Sequence, residues 1–154
     1  MIHHEKSLII EATREEVWAV VGRFMHVDEF APFIKSVEAL TDGTDGVGSI
    51  RRCHFEDGSS MLEEVTEWEA NQSFQVSLSE LEPMPLIKSD ADISLKSVNN
   101  NQTKVTWGMD YQVKYSIFGW LLGQTMMKLM MGKILNANLK GLAEKVKLNK
   151  AAAA

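Results

Sequence analysis

The sequence predicts an α+β fold in which a curved antiparallel sheet of about seven strands surrounds a long C-terminal helix, with two short helices after the first strand. Two observations predict it. Six successive segments alternate between apolar and polar residues with only short turns between them, and a long segment with helical periodicity follows. Strands joined by short turns form an antiparallel meander, and a meander with one buried face needs an amphipathic helix to cover it.

Local signals near the N-terminus predict the first three elements. The alternation from Lys6 to Glu11 is typical of a strand. Thr13 and Glu16 form the capping-box pattern that begins a helix. A second short helical segment, Val27 to Phe30, ends before Pro32, because proline cannot continue a helix.

The six remaining strands are each bounded by turn residues, among them Asp-Gly pairs and an Asn triplet. They are predicted at Ile34–Leu40, Ser49–Phe55, Ser60–Trp68, Ser73–Ser79, Ile87–Val98 and Thr103–Val113.

The hairpin between the second and third of these strands has two possible registers. If Gly58 occupies a left-handed bulge after a type I turn, Arg51 pairs with Glu63 and both point to the same face as Phe55. If the turn has only two residues, Arg51 pairs with Glu64 instead.

The C-terminal helix is predicted from about Ile117 to Val146. A period of 3.6 residues places one apolar stripe on it, and Asn138 lies within that stripe. Methionine is flexible and polarizable, so Met130 and its neighbours suit an irregular apolar ligand as well as a core. The stripe and its methionines are Met127, Met130, Met131, Ile134, Leu135 and Leu142.

Length and composition indicate one domain. The chain has 154 residues, of which 45% are hydrophobic and 24% charged, which suits a single core spanning residues 1–148. The Ala-rich end, 149–154, is expected to be a disordered or expression-derived tail. Net charge is −5 with scattered basic residues, so nucleic acid is not an expected partner.

Several other classes of protein are disfavoured. The single Cys53 excludes an internal disulfide, and the first residues lack the apolar core of a secretory signal, so a cytoplasmic location is expected. His3 and His4 would point to opposite faces of a strand, so neither a metal nor another cofactor is expected. The longest uncharged stretch, Tyr115 to Met127, is shorter than the roughly 20 residues that cross a bilayer.

The order and spacing of several segments resemble the START-like helix-grip superfamily, known as SRPBCC, and in particular its polyketide cyclase/dehydrase-like branch. The resemblance implies an apolar or amphipathic small molecule bound between the sheet and the long helix, in proteins of which only some are enzymes. It also implies an inward Arg51, which favours the first hairpin register. The matching segments are Ala12–Trp18, Gly46–Arg51, Glu63–Val65, Lys104–Trp107 and the C-terminal helix.

Strand alternation gives the residues expected to line such a cavity. On the last strand the inward residues run from Val105 to Val113, and on the preceding strand they include Ile87 and Ala91. Asp92 is expected to face solvent. The candidate ligand-binding residues are Ile34, Arg51, Cys53, Phe55, Met61, Glu63, Val65, Ile93, Trp107, Met109, Tyr111, Met127, Met131, Ile134 and Asn138.

Three functions are consistent with these residues. The favoured one is binding or carrying a hydrophobic or amphipathic small molecule such as a lipid, quinone, polyketide or aromatic. The second is a cyclase or dehydratase in which Arg51, Glu63 or Tyr111 moves a proton without a metal or organic cofactor. The third is an interaction module that contacts a membrane or a protein through Leu122, Met126 and Leu129. Oligomeric state stays open.

Overall fold

The computed structural model describes residues 1–114, 121 and 123–153. Its seven strands form one antiparallel sheet in the order β1-β7-β6-β5-β4-β3-β2, with a long C-terminal helix and short helices after β1, which confirms the predicted fold class. The strands are β1 Ile2–Ile10, β2 Ile34–Ala39, β3 Ile50–Phe55, β4 Ser60–Glu69, β5 Ser73–Ser79, β6 Leu86–Asn99 and β7 Gln102–Val113. The helices are α1 Arg14–Val21, a 3-10 helix Phe24–Glu29, a π-helical turn Gly123–Met127 and α2 Lys128–Ala153.

Helix α1 begins with the predicted capping box. The Glu16 backbone N–H donates to the Thr13 hydroxyl at 3.1 Å, and the Thr13 backbone N–H donates to the Glu16 carboxylate at 3.0 Å. The two bonds satisfy backbone donors that the first turn would otherwise leave free.

Strand β1 begins four residues earlier than the sequence predicts. Its first residues, Ile2 to Glu5, pair with β7 as far as Tyr111, because β7 is long enough to supply backbone partners along that edge. His3 and His4 therefore belong to the strand and point to opposite faces. His3 contacts the Asp110 carboxylate at 2.8 Å on the outer face.

The hairpin joining β3 and β4 adopts the bulged register. Gly58 has φ of +89°, the Phe55 backbone N–H donates to the Ser59 carbonyl at 2.9 Å, and Arg51 pairs with Glu63. The alternative pairing of Arg51 with Glu64 is therefore excluded.

The start of β6 differs from simple alternation. A register irregularity between Leu86 and Lys88 lets Leu86 face the core, whereas Ile87 is 59% exposed. The prediction that Ile87 faces inward was wrong, because an extra residue in a bulge reverses the alternation before it. Asp92 faces outward but is partly buried, and this burial, together with the nearby Asp110 carboxylate, raises its pKa.

Helix α2 covers the inner face with the predicted stripe, to which Leu139 and Val146 also contribute. Met130 does not belong to it: its side chain is 41% exposed, because at 100° per residue it is turned away from Met131. The predicted helix start at Ile117 lies outside the described residues. None of the helices in the described part of the chain is long and apolar enough to cross a membrane.

The expected disordered tail is instead a continuation of α2 through Ala153. Alanine is the strongest helix former, and the last turns are also held by contacts. The Lys150 ammonium donates to the Glu11 carbonyl at 2.8 Å and lies 4.0 Å from the Glu16 carboxylate.

Candidate functional site

The predicted lining residues lie on the inner face of the sheet and on the helical segment from Gly123 to Ala153. Three of them, Ile34, Phe55 and Ile134, are only partly buried. The others are buried: Arg51, Cys53, Met61, Glu63, Val65, Ile93, Trp107, Met109, Tyr111, Met127, Met131 and Asn138. Whether they contact a ligand stays a prediction.

One row of residues across the inner face differs from its neighbours. Successive strand pairings align Arg51 on β3, Glu63 on β4, Leu78 on β5, Ser89 on β6 and Tyr111 on β7. Directly paired residues share a face, and neighbouring strands lie about 4.8 Å apart. The row therefore forms a polar line across an apolar wall, interrupted only by Leu78.

The adjacent rows toward the other end of the strands are apolar until they reach the sheet edge. One row aligns Val76, Ala91 and Met109, and ends at His4 on β1. The next row ends at Lys6 on β1, which pairs with Trp107 on β7. An apolar molecule lying on this wall would thus meet polar groups along the Arg51–Tyr111 row and at the β1 edge.

At one end of the polar row, Arg51 is enclosed by protein groups. Its guanidinium donates through Nε to the Glu63 carboxylate at 2.5 Å, pairs with the same carboxylate through Nη2, and donates through Nη1 to the Phe24 carbonyl. The guanidinium carbon also lies 3.9 Å from the centre of the Phe24 ring. These contacts compensate much of the cost of removing the charges from water.

This enclosure limits the chemistry that the pair offers. The Glu63 carboxylate faces a permanent cation, and its side chain is only 7% exposed. A general base needs its lone pair aimed at a substrate proton, and Arg51 already occupies Oε2. The arrangement is that of an ion pair that holds β3, β4 and the 3-10 helix together.

Cys53 is a poor nucleophile in this setting. The thiol is buried, and burial together with the nearby Glu63 carboxylate raises its pKa to about 12. Because the thiolate is the reactive form, Cys53 behaves as a small apolar wall residue at neutral pH.

At the other end of the row, Ser89 and Tyr111 are both fully buried. The Ser89 hydroxyl has no hydrogen-bond partner among the residues that the structure describes. Burial raises the pKa of the Tyr111 phenol, which therefore stays protonated at neutral pH. Buried polar groups are almost always hydrogen-bonded, so the Ser89 hydroxyl stands out as a buried polar group that the described residues leave without a hydrogen bond.

Sequence reasoning misses two contributors to this site. The sequence pattern places Phe24 only in the core, although its carbonyl and ring both contact Arg51; a long-range contact of this kind leaves no signal in local patterns. Ser89 stands out in the sequence only as a small polar interruption of an apolar strand. That interruption is itself the available signal, because a hydroxyl on a buried face needs a partner.

Comparison with known proteins agrees with this architecture. Residues 1–147 match the family model described as polyketide cyclase / dehydrase and lipid transport. No curated protein matches the sequence.

Solved structures share the fold at low sequence identity. An aromatase/cyclase from a Streptomyces species superposes with a TM-score of 0.80 at 13% identity, covering 95% of this chain and 93% of that one. A START superfamily protein from Mycobacterium smegmatis gives 0.76 at 22% identity, covering 95% and 97%. A norcoclaurine synthase point mutant from Thalictrum flavum, in complex with a transition-state analogue, gives 0.74 at 16% identity, covering 97% and 96%. With its sequence matched over nearly its whole length, the chain belongs to the polyketide cyclase / dehydrase and lipid transport family.

Proposed function

We propose that this protein binds and carries an amphipathic small molecule between the sheet and α2. The ligand's apolar body lies on the wall formed by residues such as Met109 and Trp107, and one of its oxygen atoms hydrogen-bonds the Ser89 hydroxyl. The single observation that carries the proposal is the fully buried Ser89 Oγ without a partner among the described residues, on an otherwise largely apolar wall.

The chemistry of the wall restricts the class of ligand. The Arg51 guanidinium is already paired with Glu63, so a strongly anionic ligand gains little from the buried interior. A hydroxyl both donates and accepts, so it suits a neutral carbonyl or hydroxyl oxygen. Quinones, polyketides and neutral lipids combine such an oxygen with a large apolar surface.

The first experiment is native mass spectrometry of the purified protein, followed by organic extraction and identification of any released molecule. A discrete bound mass with an apolar body and a neutral oxygen is the expected result. A bound molecule without any oxygen or nitrogen would contradict the assignment of Ser89.

Substitution of Ser89 gives a second test, because stability of the empty protein and ligand affinity should change in opposite directions. Ser89→Ala should stabilise the empty protein by about 1 kcal/mol or more, because it removes a buried polar group without a partner. The same change should weaken ligand binding roughly two- to tenfold through the lost hydrogen bond. Ser94→Ala, on the exposed face of the same strand, is the matched control and should change neither quantity. Destabilisation of the empty protein by Ser89→Ala would refute the proposal.

A second candidate is cyclisation or dehydration of a bound chain. It is favoured by the alignment of Arg51, Glu63 and Tyr111 on one row, since a folded chain lying along that row would meet all three groups. Combined Arg51→Met, Glu63→Leu and Tyr111→Phe substitutions should then abolish turnover of an extracted substrate. Retained turnover in a folded triple variant would eliminate these residues as catalysts.

A further inference from the structure

A pocket lies outside the interior, where the edge strand β1 meets the first turns of α2. It is open to solvent and has a volume of about 370 Å³. The two elements approach each other closely at Gly132, where an added Cβ would lie 3.0 Å from His4 Nε2. The pocket is lined by His4, Lys6, Thr125, Lys128, Leu129, Gly132, Lys133 and Asn136.

The lining of this pocket is basic. It includes three lysines and a histidine and no carboxylate, in a chain whose net charge is −5. Within the described part of the chain, none of Lys6, Lys128 and Lys133 forms a salt bridge. The positive charge here is thus not neutralised by the described side chains, and an anionic partner would complement it.

His4 supports the same conclusion. Its Nε2 is buried and has no hydrogen-bond partner among the described residues. Burial and the neighbouring charges of Lys6 and Lys128 lower the pKa of the imidazole. An anion held between the lysines would offset the positive charge that contributes to this lowered pKa.

Large apolar side chains are exposed beside the lysines. Leu129 is 78% exposed and Met126 is 68% exposed, and Met130 and Leu121 are also exposed. Leu129 lies one turn before Lys133 on the same face of α2. Leu122, which the sequence groups with Met126 and Leu129, lies outside the described residues.

The combination of residues distinguishes between possible partners. A free anion would use the lysines but would leave the exposed leucine and methionines without a role. Protein interfaces are depleted in lysine and enriched in arginine and aromatic residues, and the described residues of this surface include neither arginine nor an aromatic residue. Lysines beside exposed leucine are typical of helices that lie on membranes.

We propose that this surface docks the protein on a bilayer containing anionic phospholipids. The lipid phosphate lies in the pocket between Lys6, Lys128 and Lys133, and Met126 and Leu129 enter the boundary between head groups and acyl chains. Docking is separate from interior binding, because Lys128, Lys133, Met126 and Leu129 are exposed on the helical segment and Lys6 lies at the β1 edge, where the pocket opens to solvent.

The test is sedimentation of the full chain with two kinds of vesicle, one of phosphatidylcholine alone and one with about a third phosphatidylglycerol. Binding is expected only to the anionic vesicles and should weaken with added salt. Each lysine contributes roughly fivefold to the partition coefficient, so Lys128→Gln with Lys133→Gln should lower it about 25-fold. Met126→Ser with Leu129→Ser should lower it by about tenfold or more.

Matched controls lie further along the same helix. Lys140→Gln with Lys147→Gln removes the same charge from exposed positions away from the pocket, and Leu148→Ser removes an apolar side chain that is 64% exposed. These variants should bind anionic vesicles like the parent chain. All changed side chains are exposed, and unchanged circular dichroism would verify folding.

Four outcomes would overturn the proposal. These are no binding to anionic vesicles, equal binding to both kinds of vesicle, equal loss in the pocket variants and their controls, and a soluble dimer that the Met126 and Leu129 substitutions disrupt. If inorganic phosphate titrates the His4 resonances while vesicles do not bind, the pocket takes a soluble anion instead. Identification of the interior ligand is unaffected by any of these results.

Discussion

The inner face of the sheet carries charged or titratable side chains near both edges, and the two edges treat them differently. Toward β2, Arg51 is enclosed by a carboxylate, a backbone carbonyl and an aromatic ring. At the β1 edge, His4 and Lys6 occupy the same face but meet other cations and no described carboxylate. A charge that the protein itself neutralises serves the fold, whereas one left without a partner is available to something outside it.

The largest effect on stability is expected from removing the counter-ion of Arg51, near the β2 edge of the sheet. Glu63→Ala leaves the Arg51 charge buried without its counter-ion, which should cost about 3–5 kcal/mol of unfolding free energy. Urea denaturation of the parent chain and the variant measures this loss of unfolding free energy. The matched double variant, Arg51→Met with Glu63→Leu, removes both charges and should recover most of that loss. If Glu63→Ala costs less than about 1 kcal/mol, the pair is not the structural ion pair described.

A smaller effect is expected where α2 approaches the 3-10 helix region. An added Cβ at Gly141 would lie 1.9 Å from the Phe30 carbonyl oxygen, so backbone must move. Gly141→Ala should therefore destabilise by about 1–3 kcal/mol despite the higher helix propensity of alanine. Gly132→Ala is the control in thermal unfolding, because its nearest neighbour is the end of the His4 side chain, which can turn aside. Equal effects at the two glycines would contradict this account.

The lysines of the basic pocket at the β1 edge should contribute little to the stability of the fold. Lys128→Gln with Lys133→Gln should change the free energy of unfolding by less than about 0.5 kcal/mol, since neither lysine has a salt-bridge partner among the described residues. Chemical denaturation without vesicles measures this. A marked loss of stability would assign the lysines a structural role and weaken the contrast between the edges.

The smallest effect concerns the protonation of His4. Burial first, and then the charges of Lys6, Lys128 and His3, hold its pKa below the ordinary value of 6.5. Because the folded-state pKa is lowered, the associated stability is present above pH 6.5 and is lost as pH falls through the folded value. In NMR titrations, Lys128→Gln should raise the pKa of His4, and anionic vesicles should raise it in the parent chain. An unchanged pKa of His4 in both experiments would contradict the proposal that the neighbouring positive charges lower it.

Much of the fold could be predicted because its signals are local. The Thr13–Glu16 capping box, the Gly58 bulge and the alternation of β7 each depend on residues close in sequence. The residues of the hairpin limit the partner of Arg51 to Glu63 or Glu64, the family resemblance favours Glu63, and the bulged register confirms that pairing.

The errors arise where distant parts of the chain decide the outcome. The β1 strand extends to Ile2 because β7 offers backbone partners there, and a bulge in β6 turns Ile87 outward. The basic pocket joins residues of β1 to residues of α2 more than a hundred positions later, so no sequence window contains it. The hydroxyl of Ser89 could be identified as buried from alternation, but its lack of a partner depends on how neighbouring strands and α2 pack around it.

The two halves of α2 are held to the rest of the protein by different contacts. Amide hydrogen exchange should therefore be faster in the first turns of the helix than in its C-terminal half. The C-terminal half is held by the close contact of Gly141 with Phe30 and by the bond from Lys150 to Glu11, whereas the first turns expose Leu129 and Met130. Amides near Val146 should therefore exchange only through global unfolding, and amides near Met131 through local opening of lower free energy. A molecule entering the interior would therefore move only the first turns of α2 away from the sheet. The C-terminal half of the helix would stay in place.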